Sequence, residues 1–170
     1  MAVTINNVRA MNNPQRAYEY EVDVFGGTFA GNLPILTQRV ETVTLPSNSV
    51  DTIEVNFKGR KTLYAGRDAS SHTFTVSFYD DEARDVYKFF RRWMDGSIND
   101  QITGAGLTRD FYAGEVLIKT FAHDSTTITG SSRMTKCFPT EVGDVQLSYE
   151  SSEHFRFDVT FAFDEHIIVE

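Results

Sequence analysis

Residues 154–163 read HFRFDVTFAF, and apolar side chains occupy every second position of this run. Successive side chains of a β-strand point to opposite faces, so this spacing places the aromatic residues on one face and the polar residues on the other. The run therefore predicts an antiparallel strand with one buried face. The two predicted faces carry Phe155, Phe157, Val159, Phe161 and Phe163 against Arg156, Asp158, Thr160 and Ala162.

The same alternation recurs at residues 73–79 and 18–24. Five weaker candidates bring the total to about eight strands, which is enough for an antiparallel β-barrel or sandwich. Gly26-Gly27 and Lys58-Gly59 are typical of hairpin turns. The weaker strand candidates are residues 39–45, 52–57, 61–65, 115–121 and 134–138.

One segment has helical rather than strand periodicity. Residues 80–96 read DDEARDVYKFFRRWMDG, with apolar side chains on one arc and charged side chains on the other. Asp80 or Asp81 is suited to cap the first turn, and Gly96 to end the helix. The pattern predicts one flanking helix over about residues 81–95, with Phe90 and Trp93 inserted against a sheet.

Composition limits the class of protein. The chain has 170 residues, 16 Lys+Arg against 24 Asp+Glu, a net charge of −8 and one cysteine. No apolar run approaches the length of a membrane span, and the acidic excess disfavours tight nucleic-acid binding. We expect a soluble, intracellular protein with no membrane insertion of its own. We also expect a single domain over 1–170, with an extended N-terminal arm at 1–16 and a long loop at 97–114.

The residues that carry chemistry are dispersed. His72, His123, His154 and His166 share no metal-ligand spacing with one another or with Cys137. The chain has neither a phosphate-binding loop nor a nucleophile elbow. The sequence therefore predicts no catalytic, cofactor or metal site, and a protein that is not an enzyme.

Charge is unevenly distributed along the chain. Residues 58–92 hold eight bases and five acids, a net charge of +3, whereas residues 141–170 hold one base and eight acids, a net charge of −7. One interpretation is an ordinary solvated surface. The other is that a basic surface of one copy meets an acidic surface of the next, a head-to-tail contact that generates rings or open stacks.

Two blocks of residues carry a resemblance to a known family. Over residues 17–164 the chain resembles the tail tube proteins of contractile-tailed bacteriophages, a superfamily shared with the inner-tube proteins of type VI secretion. The order and spacing of the blocks carry this resemblance. The blocks are Asn56-Phe57, Arg60-Lys61, Ala65-Gly66, Phe74-Thr75-Val76, Asp81-Glu82-Ala83, Asp85, Phe90 and Trp93, then Pro139-Thr140, Val142-Gly143-Asp144, Gln146-Leu147 and Phe157-Asp158-Val159-Thr160.

The resemblance implies a structural virion protein, assembled in the host cytoplasm, whose hexameric rings stack head to tail into the inner tail tube, a conduit for genome ejection. It implies copies of the same chain, the tail sheath protein, and baseplate and tail-terminator proteins as partners, transient passage of DNA, and no cofactor. Three alternatives stay open: a baseplate tube-initiator protein of the same fold, an inner-tube protein of a related contractile injection system, and a small-ligand-binding β-barrel.

Two sets of residues are candidates for function in such an assembly. The first set would form contacts between subunits, for which the 97–114 loop is a further candidate. The second would line an acidic bore, because each acid lies on the polar face of a predicted strand. The contact candidates are Arg60, Lys61, Glu141 and Asp144, and the bore candidates are Glu19, Glu21, Asp23, Asp158 and Asp164.

Overall fold

The computed structural model describes residue 5 and residues 14–31, 33–98, 102–145, 147 and 154–169. The predicted mainly-β, antiparallel fold is confirmed. The strands are β1 (Tyr20–Phe25), β2 (Val40–Val43), β3 (Val50–Phe57), β4 (Arg60–Asp68), β5 (Thr73–Tyr79), β6 (Gly114–Phe121), β7 (Ile128–Val142), β8 (Arg156–Ala162) and β9 (Glu165–Val169). The helices are α1 (Gly27–Ala30), α2 (Leu36–Arg39), α3 (Asp85–Trp93) with a π-helical turn at Met94–Ile98, and α4 (Arg109–Tyr112).

Seven of these strands form two antiparallel layers that share β7. Sheet A has the order β1-β6-β7-β9, and sheet B has the order β2-β5-β8-β7. Residues 131–135 of β7 pair with β9, and residues 138–142 pair with β8. Between them Lys136 has φ 54°, and the register with β6 shifts there, so a bulge turns the strand from one layer into the other. The sequence predicted only residues 134–138 of this long strand.

The core lies between the two sheets. On sheet B, Phe157, Val159 and Phe161 of β8 are buried and pair with three apolar residues of β5, as the alternation predicts. Sheet A covers them from the other side. The buried set comprises Phe74, Val76 and Phe78 from β5, and Val22, Val24, Val116, Ile118 and Met134 from sheet A. Side chains therefore fill the space that a ligand-binding barrel would leave open.

Helix α3 covers the end of this core. Its Phe90 and Trp93 are fully buried, and the Phe90 ring lies 4.9 Å from that of Phe78. Asp80 is buried and accepts a hydrogen bond from the N–H of Tyr87 at 2.8 Å, so its predicted capping role is confirmed. The prediction that Gly96 ends the helix is wrong, because the π-helical turn runs through that residue.

The predicted hairpin at Lys58-Gly59 is confirmed. Both residues have positive φ, 47° and 78°, as a tight turn between β3 and β4 requires. The hairpin predicted at Gly26-Gly27 is wrong, because β1 pairs with β6 rather than with the next strand of the chain. Gly27 begins α1 at φ 65°, where a Cβ would lie 2.7 Å from the carbonyl oxygen of Ala113.

Two further segments differ from expectation. Strand β9 was not predicted, because the apolar residues 167–169 are consecutive and give no alternation. The segment predicted as a loop, 97–114, contains α4 after the irregular residues 102–108.

Most of the predicted N-terminal arm, 1–16, lies outside the described residues. Within the part of the chain described, no helix is long and apolar enough to span a membrane.

Candidate assembly surfaces

The β3–β4 hairpin stands apart from the two packed sheets. It forms a separate two-stranded sheet, and every residue of β3 is exposed. Isolated two-stranded hairpins are marginally stable in water and gain stability by packing on something else. This hairpin therefore offers a surface for a partner.

One face of the hairpin is apolar. Ile53, Val55 and Phe57 alternate along β3, and Tyr64 pairs with Ile53 across the ladder. Their exposed fractions are 55%, 47%, 69% and 58%. The opposite face is mainly polar and carries an ion pair between Glu54 and Lys61, with Leu63 as its large apolar side chain. Sequence reasoning identified these strands and missed the surface, although their alternation predicts a buried face and no described residue covers it.

The predicted contact residues lie at separate places. Arg60 and Lys61 follow the turn at the hairpin tip, where Lys61 already pairs with Glu54. Glu141 lies near the end of β7 and Asp144 beyond it, and both are exposed. Neither acid contacts Arg60 or Lys61 within the described residues. Any pairing of these four residues must therefore join two copies.

The solvent face of sheet A carries paired charges. Nζ of Lys119 on β6 lies 2.7 Å from Oδ2 of Asp23 on β1, and this hydrogen bond raises the pKa of Lys119. Arg133 on β7 is bound through two nitrogens to Glu115 on β6, with one N–O distance of 2.8 Å. That contact likewise raises the pKa of Arg133.

The five predicted bore acids do not share one face. Glu21 and Asp23 lie together on the solvent face of sheet A. Asp158 faces outward from sheet B, where the hydroxyl of Ser77 donates to it. Glu19 precedes β1 and pairs with Arg16, whereas Asp164 lies at the β8–β9 corner and pairs with Arg109. If sheet A lines the bore, Glu21 and Asp23 are the only two of these five acids that face it.

Sheet A has two unpaired edges. Strand β1 ends the sheet on one side and β9 on the other, and no strand of the described residues pairs with either outer edge. Each neighbouring pair in the order β1-β6-β7-β9 is antiparallel, so β1 and β9 run in opposite directions. Such edges are templates for pairing with another chain.

The residue types associated with catalysis are not gathered. Among the described residues, no group of three or more His, Cys, Asp or Glu side chains is arranged to hold a metal ion. Burial raises the pKa of the Cys137 thiol to about 12, so it is a poor nucleophile. Among the described residues, the features suited to binding a partner are thus the exposed hairpin face and the strand edges of sheet A.

Comparison with known proteins agrees with that conclusion. The family model described as phage tail tube protein matches residues 4–169. The chain belongs to the phage tail tube protein family. It is 29% identical over 150 residues to the tail tube protein gp19 of Enterobacteria phage T4, with 86% of each chain covered, and equally so to gp19 of Enterobacteria phage T6.

Solved structures share the fold of this phage tail tube family member. A chain in the baseplate of the anti-feeding prophage superposes with a TM-score of 0.73 at 11% identity, over 94% of this chain and 97% of that one. A chain in the sheath/tube terminator of the PVC extracellular contractile injection system gives 0.69 at 17% identity, over 95% and 100%. The protein is a structural tail tube component and not an enzyme.

Proposed function

We propose that this protein forms hexameric rings that stack head to tail into the inner tail tube, through which the genome passes into the host. The observation that carries the proposal is the pair of oppositely directed edges on sheet A, β1 and β9, with which no described strand pairs. Rotation about a ring axis brings β9 of one copy beside β1 of the next as an antiparallel pair. The contact is heterologous and repeats until the ring closes.

The geometry of sheet A supports a ring with a bore. Six copies of a four-stranded sheet give a wall of 24 strands, and at about 4.8 Å between strands its backbone diameter is roughly 37 Å. Sheet B and α3 pack on the core-facing side of sheet A. These parts of each subunit need more room than the bore offers, so they lie on the outside of the wall, where the circumference is larger. The solvent face of sheet A, with Glu21 and Asp23, then points to the axis.

The β3–β4 hairpin forms the contact between stacked rings. Its apolar face gains stability when it packs on a copy in the adjacent ring, because apolar area removed from water contributes about 25 cal/mol per Å². Its tip, with Arg60 and Lys61, meets Glu141 and Asp144 of that copy. The charge of the two regions is complementary, +3 for residues 58–92 against −7 for residues 141–170.

The tube lies inside the sheath and between the baseplate and the tail terminator, and its subunits assemble in the host cytoplasm. Among the described residues of sheet A, the acids outnumber the cations. Phosphates that pass within about a Debye length, 8–10 Å, of such a wall are repelled rather than held. DNA is therefore not retained by the bore.

Negative-stain electron microscopy of the concentrated protein tests the proposal. We expect hollow, cross-striated tubes, either unaided or after addition of a tail platform that nucleates growth. A tube protein is also among the most abundant proteins of the purified particle, whereas a tube initiator is present in few copies. Protein that remains monomeric with and without the platform contradicts the proposal.

A further inference from the structure

The cations on the strands of sheet A share one property. Lys119, Arg133 and Lys136 are the three on β1, β6, β7 and β9, all of whose residues the structure describes. Each is bound to a carboxylate of its own subunit: Asp23, Glu115 and Asp110 respectively. By contrast, Glu165 on the same face holds no ion pair with a described residue. Glu21 lies opposite Lys119 in the ladder and its charge also raises the pKa of Lys119, but it forms no ion pair with a described residue.

The first two pairs have good geometry. Lys119 and Asp23 are mostly buried side chains, 24% and 21% exposed, at a distance of 2.7 Å, and the hydroxyl of Thr37 also donates to Asp23 at 3.0 Å. Arg133 is held by both of its pairing nitrogens, the arrangement that restrains a guanidinium most strongly. Each carboxylate is thus positioned to satisfy one cation.

We propose that Asp23 and Glu115 mask Lys119 and Arg133 from DNA that passes over the solvent face of sheet A. This inference rests on the proposed function, because it requires that face to line the bore. A free cation on the wall would neutralise a phosphate and release a counterion, and each such contact strengthens binding. Because every subunit repeats the face, a single unmasked cation recurs along the whole tube. The ligand class is the phosphate backbone of a nucleic-acid duplex, and the pairs keep it unbound.

Two double variants with the same net charge separate masking from overall charge. Asp23→Asn with Glu115→Gln removes the two masking carboxylates and breaks both ion pairs. Glu21→Gln with Glu165→Gln removes two acids of the same face and leaves both ion pairs in place, although Glu21 lies opposite Lys119. Each double variant changes the subunit charge by +2, so repulsion of DNA by the net charge weakens equally in both.

The experiment measures retention of a fluorescent duplex by assembled tubes after nuclease digestion of DNA bound outside. We expect the unmasked variant to retain at least tenfold more duplex than the charge-matched control, and to lose it when salt rises from about 50 to 200 mM. Adding Lys119→Gln and Arg133→Gln to the unmasked variant should restore the low retention of the wild type, provided that electron microscopy shows intact tubes.

The outcomes are distinguishable. Equal retention by the unmasked variant and its control, in intact tubes, overturns the masking proposal and leaves the tube function standing. Failure of the restored variant to return to the wild-type level also overturns it. Absence of tubes from the wild-type protein contradicts the proposed function itself.

Discussion

Oδ2 of Asp80 lies 2.8 Å from the backbone nitrogen of Tyr87, and this hydrogen bond joins the end of β5 to the first turn of α3. The other carboxylate oxygen accepts from the N–H of Asp81 at 3.0 Å and from that of Val86 at 3.4 Å. One buried carboxylate therefore supplies partners that the start of the helix lacks, which fixes α3 over the core.

Substitution of Asp80 by alanine should destabilise the subunit. Loss of a cap and of buried hydrogen bonds typically costs about 1–3 kcal/mol. Urea unfolding followed by Trp93 fluorescence would measure the change. Glu82→Ala, which removes an exposed acid close by, is the matched control and should leave the unfolding free energy almost unchanged. Equal effects of the two substitutions would show that Asp80 does not act as a cap.

Gly114 marks a second point of close contact, where β1 and β6 meet. A Cβ at this position would lie 1.9 Å from the carbonyl oxygen of Phe25, so Gly114→Ala must force the two strands apart. We expect a loss of stability of about 1–3 kcal/mol or more. In Gly130→Ala the nearest atom is the Thr120 hydroxyl at 3.4 Å, and stability should change far less. Thermal unfolding of both variants measures the two losses of stability, and equal losses would show that the close contact at Gly114 does not matter for stability.

The strands that form the core could be predicted from sequence because burial on one face imposes strict alternation. Phe157, Val159 and Phe161 show this pattern, and so do the β5 residues opposite them. Strand β9 and the long extent of β7 lack such a pattern, since their positions depend on pairing with a distant strand. Gly26-Gly27 has the composition of a hairpin turn, but the choice of β6 as partner for β1 lies outside local sequence.

The candidate surfaces were predicted only in outline. Opposite charges suggested contacts between copies through Arg60, Lys61, Glu141 and Asp144, and these contacts stay a prediction. Sequence separation hides the pairing of Lys119 with Asp23, which are 96 residues apart. It also hides that the apolar face of β3 is exposed among the described residues, because the alternation is the same whether that face packs on its own chain or on a neighbour.

The apolar face of the hairpin should matter for assembly and not for the subunit. Phe57→Asp places a charge on that face, and Asn56→Asp places the same charge on the opposite face. Because residue 57 is 69% exposed, we expect both variants to unfold like the wild type. Sedimentation should show that Phe57→Asp forms few or no tubes, whereas Asn56→Asp still assembles. Normal tube yield from the first variant would remove the hairpin face from the interface.

Alkaline pH should destabilise the subunit through two groups. Burial, and the nearby Glu41, raise the pKa of Tyr20, and the hydrogen bond that Lys119 donates to Asp23 raises the pKa of Lys119. The folded state therefore holds both protons more tightly than the unfolded state. The contribution of the two groups to the free energy of unfolding is fully present below about pH 10, near their pKa values in the unfolded chain. This contribution should be lost as the pH rises through the pKa values that the two groups have in the folded state.

Urea unfolding from pH 8 to 11.5 would check this, with Tyr20→Phe and Lys119→Met as comparisons. Each substitution removes one titrating group and should flatten the decline. Unchanged curves for both variants would show that these groups do not cause the alkaline loss.

Rings should close by antiparallel pairing of β9 with β1 of the next copy, and disulfide trapping in assembled tubes detects that pairing. Cysteines bond only when their Cα atoms lie about 4.4–6.8 Å apart, and the buried Cys137 does not compete. Antiparallel pairing with β9 and β1 in full overlap predicts covalent ladders of subunits from Phe25→Cys with Glu165→Cys and from Glu21→Cys with Val169→Cys. The control pairs, Glu21→Cys with Glu165→Cys and Phe25→Cys with Val169→Cys, should remain monomeric on non-reducing gels. Intact tubes in which the predicted pairs fail to cross-link, or in which the control pairs cross-link equally well, would show that rings do not close by this pairing of β9 with β1.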